Sequence, residues 1–68
     1  MKLTDRRIEV LKQIASDCCT KEIAANLGIS AKTVEFHRKD LYNLTGKKTV
    51  VGLTLWAIEN GIIKVEVK

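Results

Sequence analysis

The chain has 68 residues, enough for one domain around a small core and too few for a second. Twelve Lys and Arg against eight Asp and Glu leave a formal charge of +4, which suits a polyanionic partner without demanding one. There is no proline, low-complexity run or internal repeat. The longest mostly apolar stretch, residues 50–58, is far short of a membrane span, and the polar start is not that of a signal peptide, so a cytoplasmic protein is expected.

The first predicted helix opens at Leu3-Thr4-Asp5. Thr4 is a favoured N-cap, Asp5 complements the positive end of the helix dipole, and Leu3 and Ile8 stand at the positions of a hydrophobic staple. Ile8, Leu11, Ile14 and Ala15 form the expected inward stripe, and Arg6, Arg7, Glu9, Lys12 and Gln13 read as outward, mostly solvated residues. The helix is expected to stop near Ser16-Asp17. Cys18 and Cys19 then lead on as reduced thiols at a loop or helix end. With the distant His37 they are too few to hold a metal, and no metal or cofactor is expected.

Residues 20–43 organise the rest. Ile23, Ala24 and Leu27 mark a short helix, Gly28 ends it at low steric cost, Ile29 fills the turn, and Ser30 caps a longer helix over about residues 31–44. Val34, His37, Leu41 and Leu44 give that helix an inward stripe. Two helices joined by a short Gly-containing turn read as a helix-turn-helix, whose second helix can lie in a DNA major groove.

At about 100° per residue, Lys32, Glu35, Phe36, Lys39 and Asn43 point away from the stripe. Lys32 and Lys39 can reach phosphates or guanine acceptors, Glu35 can accept from a cytosine amino group, Phe36 can touch a thymine methyl, and Asn43 can meet a phosphate. Lys21, in the first turn of the shorter helix, combines with its exposed amides as a phosphate clamp or is simply solvated.

A polar loop with a stop at Gly46 leads to Thr49, the predicted cap of a fourth helix that runs to about Asn60 and closes at Gly61. This helix is apolar on nearly every side, more than a small domain's surface helix needs. Leu53, Ala57 and Ile58 suit the core, which leaves Val50, Leu55 or Trp56 for a partner surface, with Gly52 expected to admit a second helix closely. The competing reading spends Trp56 in the chain's own core. The tail at 63–68 alternates apolar and charged residues, a strand-like pattern that either pairs with another copy or stays extended and loose.

With LTDR at 3–6, EVL at 9–11, IA at 14–15, KEIA at 21–24, the run L-G-IS-x-KTV-x-x-HR from Leu27 to Arg38, and A-x-E-x-G-I-I at 57–63, the chain resembles the LuxR/FixJ (GerE-like) DNA-binding domain. The resemblance implies an all-α, compact four-helix domain over residues 1–68, with the third helix in the major groove of double-stranded DNA and the fourth mediating a homodimer. Carried over by position, base-facing sites fall on Glu35, Phe36 and Lys39, and phosphate-facing sites on Lys21, Lys32, Thr33 and Arg38, with His37 at the margin. It also implies a bacterial or phage setting, with the protein at the nucleoid, and a sensor domain elsewhere, so the chain is either a free-standing small regulator or a piece of a longer one.

Several residues depart from the family pattern. Arg7 replaces a Glu that completes a capping box with Thr4, and Cys19 replaces a Ser three residues before Glu22, so both boxes are expected to weaken. Leu44, Thr45 and Lys47 replace the usual residues around Gly46, where different packing is expected. Glu35 is acidic where many members are basic, which should lower non-specific affinity and sharpen base choice; together with Asp40 it blunts the basic face.

The sequence thus predicts a sequence-specific, double-stranded DNA-binding transcriptional regulator acting as a dimer on half-sites about one helical turn apart. The alternative is a helix-turn-helix-shaped interaction module that binds RNA polymerase or another regulator. An enzyme is not expected: there is no paired-carboxylate set, no Cys–His dyad at workable spacing and no phosphate loop.

Overall fold

The computed structural model describes residues 3–64. Four helices follow one another: α1 (Asp5–Ala15), α2 (Thr20–Leu27), α3 (Ala31–Thr45) and α4 (Val50–Glu59). The alternating part of the tail from residue 65 lies outside the described residues, and no strand occurs within them.

Each helix starts where its cap chemistry puts it. The Thr4 hydroxyl accepts from the Arg7 amide at 3.3 Å, Ser30 from Thr33 at 3.1 Å, and Thr49 from Gly52 at 3.0 Å, so three of the expected caps close. At α2 the Glu22 carboxylate accepts from the Cys19 amide at 3.0 Å. The expected weakening of that box is therefore confined to the thiol half, which is present but accepts weakly because it is sulfur.

Helix ends are closed by left-handed residues. Gly28, Gly46 and Gly61 have φ of 66°, 72° and 70°, and Asp17 adopts 66° without being a glycine. After α1, α2 and α4 the same double closure recurs. The Cys18, Ile29 and Ile62 amides donate back to the Gln13, Ala24 and Ala57 carbonyls at 3.0, 3.0 and 2.8 Å, while Asp17, Gly28 and Gly61 donate to Ile14, Ala25 and Ile58. Cys18, Ile29 and Ile62 then pack against the core, so each stop doubles as a core plug. At Gly46 a single bond to the Tyr42 carbonyl suffices, and the Thr45 hydroxyl holds the loop by donating to the Leu41 carbonyl at 2.8 Å and accepting from the Lys47 amide.

The core consists of Val10, Leu11 and Ile14 from α1, Ile23 and Ala24 from α2, Val34 and Leu41 from α3, and Leu53 and Ala57 from α4. No polar side chain is buried among the described residues. Helices α1 and α3 each pack against all three others, whereas α2 and α4 share no contact among the described residues. That position explains Val10, which the single-stripe reading of α1 left out. A helix covered by three neighbours is apolar over a wide arc, and on α1 Val10 is fully buried while Ile8 is only half-buried. Gln13, expected outside, is half-buried and ties α1 to α2 by accepting from the Asn26 amide nitrogen at 2.9 Å.

At Gly52 a β-carbon would meet Thr49 Oγ1 at 3.3 Å and Lys47 Cβ at 3.4 Å, so the chain's own preceding loop already makes a close approach there. No helix is long and apolar enough to cross a membrane.

Candidate nucleic-acid interface

Gly28 turns the chain between α2 and α3, and the buried Val34 and Leu41 fix the rotation of α3 against the core. Every residue assigned to the outward face is then exposed: Lys32, Glu35, Phe36, Lys39 and Asn43. Phe36 is 58% exposed, a large apolar surface held in water by its place on a charged helix. With Lys32 and Lys39, at i−4 and i+3 from it, Phe36 forms one ridge along the exposed face of α3.

The residues at the flanks sit differently. Thr33 and Arg38 are half-buried, which suits contact with a strand beside the helix more than with bases beneath it. The Thr33 hydroxyl lies 2.8 Å from the Ser30 hydroxyl; with Ser30 as donor, the Thr33 proton is left to point outward. Lys21 is exposed in the first turn of α2, where the Glu22 carboxylate also occupies one of the orphan amides. That hydrogen bond lowers the Glu22 pKa from its ordinary 4.5, because the Cys19 backbone amide and then the Cys19 side chain favour the charged form. His37 is half-buried, with Nδ1 enclosed and facing no partner among the described residues.

One pair was not legible locally. Arg7, read as a solvated residue, donates through Nη2 to Asp40 Oδ2 at 2.9 Å, linking α1 to α3 across 33 residues. Asp40, counted in the sequence as an acid blunting the basic face, therefore carries its own counter-charge. Neither residue announces this at short range, and only the packing of α1 on α3 brings them together.

On α4, Val50 and Leu55 are 41% and 54% exposed, and Val51, not singled out in the sequence, is 69% exposed. Trp56 is half-buried against the core, so the competing reading of this residue describes much of its surface. Cys18 and Cys19 are free thiols at the end of α1 and the start of α2.

Known proteins resemble the chain across this whole arrangement. Residues 1–57 match the family described as bacterial regulatory proteins, luxR family. The chain is 41% identical to the transcriptional regulatory protein MctR of Rhizobium johnstonii over 61 residues, covering 90% of the chain and 28% of that protein. It is 43% identical to the transcriptional regulatory protein UhpA of Escherichia coli over 51 residues, 75% of the chain and 26% of that protein. With a nitrate/nitrite response regulator protein homolog of Haemophilus influenzae the identity is 40% over 57 residues, 84% of the chain and 27% of that protein. The chain thus spans little more than a quarter of the length of these relatives. No solved structure matches it significantly. The matched region contains α1, α2, α3 and most of α4, and on that footing the chain belongs to the luxR family of bacterial regulatory proteins.

Proposed function

We propose that this chain is a single sequence-specific domain that binds double-stranded DNA in transcriptional regulation, with α3 in the major groove. The observation that supports this reading most is the exposed ridge of Lys32, Glu35, Phe36, Lys39 and Asn43 on a helix whose opposite side is locked into the core. A helix held that way offers a fixed set of donors, acceptors and apolar surface to base edges. Glu35, Phe36 and Lys39 read bases; Lys21, Lys32, Thr33 and Arg38 hold the phosphates that set the register. The exposed Val50, Val51 and Leu55, with the free edge of Trp56, form the surface through which two copies pair on half-sites about one helical turn apart.

The test is capture of fragmented bacterial genomic DNA by the purified protein near physiological salt, with sequencing of the retained fragments. A short two-fold-symmetric motif is expected. Lys39→Ala is expected to cost about 1–3 kcal/mol on that motif and to relax it, whereas Lys32→Ala weakens binding to all sequences and lowers the salt slope by about one. Equal losses on motif and random DNA for both variants would remove the division of roles. Absence of any retention would move the function to recognition of RNA polymerase or another regulator.

A further inference from the structure

The Arg7–Asp40 pair lies outside the set of residues assigned to DNA. Its bond is short and charge-assisted, and the two side chains are 19% and 32% exposed, so the pair is screened far less than a surface ion pair. Asp40 follows Lys39 directly and stands one helical turn beyond Phe36, which puts it on the border of the outward face of α3, on the side facing α1. A helix lying in a groove has phosphates along both flanks. A bare carboxylate at that border would repel them.

Building on the DNA reading, we propose that Arg7 is a positioning residue for DNA recognition, acting through Asp40, whose charge it neutralises at the flank of α3. The pair lets the recognition helix carry an acid beside the phosphate strand at no electrostatic cost to binding. It also replaces, with a bond between two helices, the local capping support that an acidic residue at position 7 would give to α1. Arg7 does this through its forked guanidinium, whose planar donors fix direction as well as charge.

The experiment measures equilibrium binding of mixed-sequence duplex DNA at several salt concentrations for the wild type, Arg7→Gln, Asp40→Asn and the double variant. Arg7 is the third residue of α1, where Gln can reach back to the Thr4 amide, so Arg7→Gln is expected to keep the fold, as thermal melting checks. It is expected to bind about tenfold more weakly, the scale of one lost charge-assisted interaction. Asp40→Asn alone is expected to bind as well as the wild type or better, and the double variant to regain most of the loss. A structural role alone would not produce that rescue, because the double variant still lacks the bridge. Unchanged affinity in Arg7→Gln, or a double variant no better than Arg7→Gln, would overturn the inference and leave the DNA reading standing. Failure of the wild type to bind duplex DNA would overturn both.

Discussion

Asp17 holds the most constrained backbone position among the described residues. It is the one non-glycine among the described residues with a positive φ, at 66°, and it ends α1 by letting the Cys18 amide return to Gln13. A side chain in that conformation costs roughly 1–2 kcal/mol, less for Asp than for most, and glycine would remove the cost while adding some entropy to the unfolded chain. Asp17→Gly is therefore expected to raise unfolding stability by up to about 1 kcal/mol, and Asp17→Val to lower it by about 1–2 kcal/mol, as read from urea denaturation. The reverse order would show that the turn is not what sets the end of α1. In the sequence, Ser16-Asp17 marked the stop correctly, yet nothing there signalled a left-handed Asp, since Asp is common in every kind of turn.

At the scale of the element, the helix ends carry more of the specification than the helix interiors. Thr4, Ser30, Thr49, Gly28, Gly46 and Gly61 act locally, within a few residues, so a linear reading finds them. Val10, Gly52 and the Arg7–Asp40 bridge depend on what packs alongside, so the same reading misses them. Helix α2 gives a test of one such end. The Glu22 carboxylate accepts the Cys19 amide only fully when charged, and its pKa in the folded chain lies below 4.5. A lowered carboxylate pKa contributes stability that is present above the unfolded value and is lost as pH falls through the folded one. The urea midpoint of the wild type should then decline below about pH 4.5 more steeply than that of Glu22→Ala. Parallel curves would show that the carboxylate does not support α2.

For the whole molecule, α1 and α3 hold the centre of the packing, and α2 and α4 lie apart from each other. The ridge on α3 and the apolar patch on α4 are the outer faces of two helices that pack against each other and against α1. The fold and the ridge were readable because both arise from helical periodicity; the division of α4 between core and surface was not, because the helix is apolar on nearly every side and its sequence offers no contrast. The structure gives Leu53 and Ala57 to the core and leaves Val51 and Leu55 in water. The double substitution Val51→Glu with Leu55→Glu is expected to abolish self-association while leaving the melting temperature nearly unchanged, since both side chains are already solvated. Sedimentation of the wild type as a monomer at high concentration would contradict this surface.

The exposure of the α3 ridge and of the outer part of α4 has a consequence for how such a domain diversifies. Residues on the α3 ridge contribute nothing to the core, and neither does the exposed part of α4. On the proposed reading, selection can rewrite the α3 ridge without disturbing the α4 patch, or the patch without the ridge. After duplication of such a chain, substitutions confined to either exposed face would leave the shared core of both copies unchanged.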